Sequence, residues 1–162
     1  MSAQNPFFEI SLLPYEAPRF DVITDQHYRP AFDEAVRQKR DEIAAIIANP
    51  AAPDFANTVL ALEQSGTMLS RVTAVFFAMT SADTNDYLQT LDEAFSAELA
   101  ELADDIWLNA ALFARVDAVY QTRHSSGLDA ESLRLVETLW QQFMLAGARL
   151  GDEQKAQLKA LN

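Results

Sequence analysis

The sequence contains no cysteine among its 162 residues, which excludes a disulfide framework, a thiolate metal site and a cysteine nucleophile. Basic residues are scarce, since Lys and Arg number 12 against 24 Asp and Glu, giving a formal net charge of −12. Nucleic acid and anionic membranes would repel such a chain, so we expect neither as a partner. No run of about 18 apolar residues is present, and the first residues lack the basic start and apolar core of a secretion signal. The expected location is the cytoplasm.

Residues that break helices are unevenly distributed. All six prolines lie at or before Pro53, and the chain has only four glycines. This distribution predicts an extended arm over residues 1–23, followed by long helices over residues 24–162. The large apolar residues of the arm indicate that it packs on a hydrophobic surface. Composition and length suit a single globular domain covering residues 1–162.

Apolar residues recur every three or four positions, the spacing of amphipathic helices. This spacing predicts helices over residues 24–48, 54–81, 85–108, 110–123 and 129–150, with a further helix over 153–162. No stretch of useful length alternates as a strand would. The predicted fold is therefore all-α, a bundle of five or six long antiparallel helices preceded by the proline-containing arm.

Capping residues and helix breakers refine these boundaries. Thr24 and Asp129 are predicted N-caps, because their side chains can accept hydrogen bonds from a first helical turn. Pro30 lies past the first turn of its helix and predicts a kink or an irregular start. The Ser-Gly pair at 65–66 predicts a bend or a split, and the Gly-Asp pair at 151–152 predicts a stop followed by a new N-cap.

Few side chains offer catalytic or metal-binding chemistry. The two histidines, His27 and His124, are far apart in the chain and belong to no His-Glu-x-x-His or Glu-x-x-His motif. No Gly-x-Ser-x-Gly elbow and no glycine-rich phosphate loop occurs. We therefore predict no catalytic residue, no metal ligand and no cofactor in this chain, and the sequence identifies no substrate-binding residue.

An acidic stretch and an apolar run each allow two interpretations. Residues 81–114 hold eight acidic residues and no basic one, with Glu98, Glu101 and Asp105 on one helical face. A solvated outer face explains them, but a cation site, a docking face or the carboxylate site of a small enzyme stays open. The apolar run at 72–79 is either buried core or a contact with a further domain.

Several short segments occur in an order and spacing that resemble one enzyme family. They are Asn-Pro-Phe at 5–7, Leu-Pro-Tyr at 13–15, His-Tyr-Arg-Pro-Ala-Phe-Asp-Glu at 27–34, Phe-Ala-Asn-Thr at 55–58, Ala-Leu-Glu-Gln-Ser-Gly at 61–66 and Val-Phe-Phe at 75–77. Together they resemble the start of the thimet-oligopeptidase-type zinc metallopeptidases, and most of all the bacterial peptidyl-dipeptidases. The resemblance covers essentially the whole chain.

This resemblance implies a larger, mostly helical parent enzyme, with two lobes around a deep channel, that releases C-terminal dipeptides from short peptides. The family's zinc motif has no counterpart in these 162 residues, so the resemblance assigns zinc to the parent enzyme and none to this chain. It further implies that the chain is an N-terminal helical part of the lobe limiting access to the channel, inactive alone and partnered by the catalytic remainder. The alternative is a self-contained acidic helical module that binds a protein partner.

Overall fold

The computed structural model describes residues 5–159, and within them the side chains other than those at 152 and 159. Two 3₁₀ turns, Pro6–Phe8 and Pro14–Glu16, occur in the arm. The helices are α1 (Asp25–Ala48), α2 (Ala61–Gln64), α3 (Thr67–Ala82), α4 (Asp86–Trp107), α5 (Ala110–Thr122), α6 (Ala130–Leu145) and α7 (Asp152–Lys159), with a π-helical turn, Phe55–Leu60, before α2. Residues 5–159 contain no strand, and the predicted all-α class with its N-terminal arm is confirmed. None of the described helices is long and apolar enough to cross a membrane.

The chain divides into two compact units. Unit 1 comprises Met1–Arg40 and Gly66–Glu98, and unit 2 comprises Asp41–Ser65 and Leu99–Asn162. Helices α1 and α4 contribute residues to both units. The division into units does not test whether residues 1–162 form a single domain, so that assignment stays a prediction.

Unit 1 is built around aromatic rings from α1, α3 and α4. Phe32 and Phe95 stack with their centroids 3.8 Å apart and their planes 5° from parallel. Phe76 lies 4.6 Å from Phe95 and meets Tyr28 edge-on at 5.2 Å. All four rings are buried, so each contributes a large apolar area to the core. Burial raises the pKa of Tyr28, because its phenolate form would lose solvation.

The apolar run at 72–79 lies mostly in this core. Val72, Val75 and Phe76 are buried, whereas Ala74 and Ala78 on the same helix are exposed. The exposed members are small, so they leave little apolar area in water. Burial within unit 1 therefore accounts for most of the run.

The predicted interruption at residues 65–66 is confirmed. Ser65 has extended backbone (φ −75°, ψ 148°), and Gly66 adopts the left-handed conformation (φ 79°, ψ 23°) before α3 begins. Glycine populates positive φ because it has no Cβ. A Cβ at residue 66 would lie 2.8 Å from Cδ of Lys39, an atom of a flexible side chain that can move aside. Backbone conformation, rather than crowding, is therefore the main reason for glycine here.

The prediction that the α6 helix extends to about residue 150 is wrong, since it ends at Leu145. Gly147 takes a positive φ of 93°, and its N–H donates to the carbonyl oxygen of Met144 at 3.2 Å. The N–H of Ala148 donates to the carbonyl oxygen of Phe143 at 3.0 Å. This pair of bonds is the Schellman motif, which satisfies the last carbonyls and stops the helix.

The remaining predicted boundaries are close to those observed. Asp129 caps α6 as predicted, accepting the N–H of Ser132 at 2.7 Å. Helix α1 continues through Pro30, so the predicted irregular start is not found, and the kink predicted as its alternative stays a prediction. The carbonyl that loses its partner there belongs to Gln26 in the exposed first turn, where water can bind it. The N-cap of α7 was predicted at residue 152. Because α7 already includes that residue, the residue that precedes the helix is Gly151.

Unit 2 combines aliphatic side chains with a few rings. Phe143 is fully buried and meets Trp107 edge-on at 4.8 Å. Trp140 stacks on Tyr120 at 4.1 Å, and its indole N–H donates to Oδ1 of Asp117 at 2.7 Å. Both tryptophans of the sequence lie in this unit. The buried aliphatic residues are Ile43, Ile46, Val59, Leu62, Leu102, Ile106, Leu108, Leu112, Val116, Val119, Val136 and Leu139.

The buried guanidinium of Arg115 organises the connection between α1 and the π-helical turn. Its Nη1 donates to the carbonyl oxygens of Asn49 (2.9 Å) and Ala51 (3.4 Å), and its Nη2 donates to Oδ1 of Asn57 (2.9 Å). The same Oδ1 accepts the N–H of Asp54, whose carboxylate accepts the N–H of Asn57 at 2.7 Å. Arg115 thus satisfies carbonyls that have no helical partner.

Replacing Gly66 by Ala should lower the free energy of unfolding by about 1–2 kcal/mol, because alanine resists positive φ. Gly127→Ala is the matched control, since Gly127 has φ 67° and no atom within 4 Å of a Cβ there. Urea denaturation should give equal losses for both within about 0.5 kcal/mol. A loss at residue 66 larger by more than about 1 kcal/mol would show that contact with Lys39 dominates instead.

Arg115→Lys should lower the free energy of unfolding by about 2–3 kcal/mol. The single ammonium of lysine cannot reach all the oxygens that the guanidinium binds, so a buried oxygen would be left unsatisfied. Arg134→Lys, at an exposed position of α6, is the control and should change it by less than about 0.5 kcal/mol. Thermal unfolding followed by circular dichroism compares the two variants. Equal effects would contradict the role assigned to Arg115.

Candidate functional site

Neither histidine stands in a catalytic arrangement. His27 lies in the first turn of α1, where its Nδ1 accepts the N–H of Thr24 at 3.0 Å. The backbone carbonyl oxygen of His27 accepts a hydrogen bond from Nδ2 of Asn5 at 2.8 Å. Thr24 directly precedes α1, at the predicted cap position, and the imidazole closes that helix start from the other side. His124 lies exposed beyond the end of α5.

The acidic residue Glu98 forms an ion pair within unit 1. Its carboxylate accepts two bonds from the guanidinium of Arg29, the shorter at 2.5 Å from Nη1. Arg29 also pairs with Asp33 at 2.6 Å, and its guanidinium carbon lies 5.7 Å from the ring centre of Phe95. Hydrogen bonding to Glu98 raises the pKa of Arg29, so the guanidinium stays charged against the ring. Glu98 is thereby engaged in a structural contact.

The residues of the described chain do not fit a zinc ion. Glu98, Glu101 and Asp105 all belong to α4, as their spacing predicted. Within residues 5–159, however, no three His, Asp or Glu side chains come together in a group that could hold a metal. A zinc site needs three or four such ligands around one point.

The most unusual surface is the apolar arm, which we define as residues 5–23. Its exposed large side chains are Phe8, Ile10, Leu12, Leu13, Tyr15, Phe20 and Val22. The prediction that the arm packs on a hydrophobic surface therefore holds within unit 1 mainly for Phe7, which is 3% exposed, while Pro6, Pro18 and Ile23 are half-buried. Several large apolar side chains exposed in one short segment are typical of sites of contact with other protein.

Three contacts fix the first turn of the arm to unit 1. The ring of Phe7 lies 5.6 Å from that of Tyr28. Nη2 of Arg71 in α3 donates to the carbonyl oxygen of Phe7 at 2.7 Å. Asn5 caps the turn by accepting the N–H of Phe7 at 3.1 Å, and its amide binds the carbonyl of His27. Sequence reasoning missed Arg71, because no local pattern links it to a residue 64 positions earlier.

A concavity of about 400 Å³ lies beside the arm at the start of α1. Ile10, Leu12 and Val22 line it together with Arg19 and other residues of unit 1. Arg19 forms two 2.8 Å hydrogen bonds with Asp21, which raise the pKa of Arg19 and lower that of Asp21. The lining therefore combines apolar side chains with polar ones, which include Glu9 and His27, and its cation is already paired.

The second turn of the arm, residues 12–16, has an unusual backbone, and we call it the hook. Tyr15 (φ 59°) and Glu16 (φ 56°) are both left-handed, which costs non-glycine residues roughly 1–2 kcal/mol each. The N–H of Glu16 donates to the carbonyl of Leu13 at 3.0 Å and closes the turn. Leu12 and Tyr15 are held with their side chains fully in solvent, at 100% and 103% exposure.

Phe7→Ala should detach the arm, because the variant loses about 3 kcal/mol of ring burial. Trypsin cleavage after Arg19 should then accelerate by at least about tenfold, the factor that 1.4 kcal/mol produces. Phe8→Ala is the matched control, since Phe8 is 45% exposed and its loss should leave the cleavage rate nearly unchanged. Equal cleavage rates in the two variants would show that Phe7 is not the anchor.

Two curated proteins align with this chain from the arm through the helices. A dipeptidyl carboxypeptidase of Salmonella typhimurium is 72% identical over 158 residues, which are 98% of this chain and 23% of that protein. A dipeptidyl carboxypeptidase of Escherichia coli K12 is 67% identical over 162 residues, which are 100% of this chain and 24% of that protein. No protein-family model matches the chain.

The chain thus spans about a quarter of the length of the curated relatives it matches. Within that quarter the identity extends over both units and includes the apolar arm. The resemblance to the bacterial peptidyl-dipeptidases, inferred from short segments of the sequence, is therefore confirmed over essentially the whole chain.

Proposed function

We propose that the chain is the N-terminal, non-catalytic helical part of a zinc peptidyl-dipeptidase, which releases C-terminal dipeptides from short peptides. The supporting observation is 67–72% identity with dipeptidyl carboxypeptidases of which this chain covers only 23–24%. In this proposal the zinc ion and its ligands belong to the remainder of the polypeptide. The described side chains agree with that division, because His27 closes a helix start and Glu98 binds Arg29.

The helices then serve to build part of the lobe that limits access to the substrate channel. Such a wall must keep its shape against the peptides that it excludes. Close-packed aromatic cores such as that of unit 1 resist deformation, which suits this role. The catalytic remainder of the enzyme is the partner of the chain, short peptides are the substrates, and the proposed location is the cytoplasm.

Reading the gene beyond codon 162 and expressing the full product tests this proposal. We expect a continuing frame with His-Glu-x-x-His, and dipeptide release that a zinc chelator abolishes. His27→Gln and His124→Gln should keep zinc content and activity, because glutamine at residue 27 can still accept the helix-capping bond. Replacing either histidine of the downstream motif should remove the zinc.

Other outcomes contradict the proposal. A stop codon directly after Asn162 would favour the acidic binding module, and capture of a basic partner would be the next experiment. Zinc loss in the His27→Gln variant would instead place a zinc ligand in this chain and contradict its non-catalytic role.

The same product also tests the access role. A short peptide should be cleaved, while the same sequence at the C-terminus of a folded, bulky protein should resist cleavage. Equal rates would remove the access role but leave the peptidase assignment intact.

A further inference from the structure

We infer that the hook, residues 12–16, docks into an apolar pocket of the polypeptide that follows this chain in the full-length protein. This inference rests on the proposed function, which supplies the longer polypeptide.

The exposure of the hook supports docking. Leu12 and Tyr15 make no burying contact within unit 1, although Phe7 of the same arm is 3% exposed. The arm therefore buries apolar side chains wherever unit 1 offers a surface for them. Leu13 is also 42% exposed, so three large apolar side chains of one short turn stand in solvent. An aliphatic and an aromatic side chain presented together resemble the central anchors of protein interfaces.

The backbone of the hook gives an independent argument. Tyr15 and Glu16 both occupy the left-handed region without being glycine. Such strain persists where surrounding contacts hold the conformation. In unit 1 the turn is closed by hydrogen bonds from Glu16 to Leu13 at 3.0 Å and from Ala17 to Pro14 at 3.3 Å. These bonds, and the bond that the N–H of Leu13 donates to Oγ of Ser11 at 3.2 Å, all lie within the arm. We therefore expect docking to supply the further contacts that hold the turn in place.

The following polypeptide is the occupant that the observations favour. The matched relatives have about three quarters of their length outside the alignment, which provides ample apolar surface. A covalently linked surface also has a high effective concentration near the hook. A second copy is disfavoured by the net charge of −12, since two such chains repel each other. A peptide substrate is disfavoured as the occupant, because it would leave the hook exposed to water between turnovers.

Hydroxyl-radical footprinting of the full-length protein, read by mass spectrometry, measures whether the hook is covered. A synthetic peptide of residues 5–19, with all side chains in water, gives the reference oxidation rates. Leu12 and Tyr15 should be oxidised at least about tenfold more slowly in the protein, as expected for a docked population above nine-tenths. Phe7 is the internal positive control for protection. Equal rates for the hook in protein and peptide would overturn the inference.

A variant separates docking from strain alone. Tyr15→Asn keeps a residue that tolerates positive φ and removes the ring. If the hook is docked, this variant should lower the Tm of the full-length protein by about 2 °C or more. If the hook stays in water, the relieved strain should leave the Tm unchanged or raise it, which contradicts docking. Tyr15→Phe keeps the ring and is the matched control, with an unchanged Tm.

Zinc content and peptidase activity of the same preparation distinguish failure of this inference from failure of the proposed function. An active zinc enzyme with a freely oxidised hook overturns the docking and leaves the function intact. A protected hook in a longer protein without zinc or peptidase activity supports the docking and overturns the function. Protection that appears only as protein concentration rises indicates a second copy and overturns the docking. A stop codon after Asn162 overturns both.

Discussion

The stacking of Phe32 on Phe95 is the contact on which the rest of unit 1 depends, because it joins helices that lie far apart in sequence. Phe76 brings α3 against the same ring, and Tyr28 continues the row of rings from Phe76 to Phe7 in the arm. The packing of the core therefore determines the position of the arm at Phe7. Because close-packed rings cannot shift independently, the anchor of the arm is as rigid as the helices beneath it.

Three polar side chains make contacts that stabilise the two units. His27 completes the start of α1, and Glu98 binds a guanidinium that lies against an aromatic ring. Arg115 donates two hydrogen bonds to the connection that follows α1 and a third to Asn57 in the π-helical turn. The proposed function assigns the chemistry to another part of the enzyme, which agrees with the use of these side chains within the fold.

Local patterns in the sequence predicted what depends on neighbouring residues. The spacing of leucines in α4 and the break at residues 65–66 follow from helical periodicity and from the conformational freedom of glycine. The end of α6 at Leu145 was missed because apolar residues on both sides of Gly147 continue the helical spacing. The bond from Arg115 to Asn57 joins residues 58 positions apart, which no local pattern encodes. The conformation and exposure of the hook could not be predicted for a similar reason. Tyr15 has no preference for positive φ, and its exposure depends on the tertiary fold.

The stack of Trp140 on Tyr120 also gives the molecule a useful optical property. Both tryptophans lie in unit 2, Trp107 against Phe143 and Trp140 against Tyr120, so unit 1 has no indole chromophore. Tryptophan emission therefore reports the environment of unit 2 alone, whereas far-ultraviolet circular dichroism sums the helices of both units. The two signals change together only when the units unfold in one cooperative step. The natural chromophores thus distinguish cooperative from stepwise unfolding without any introduced label.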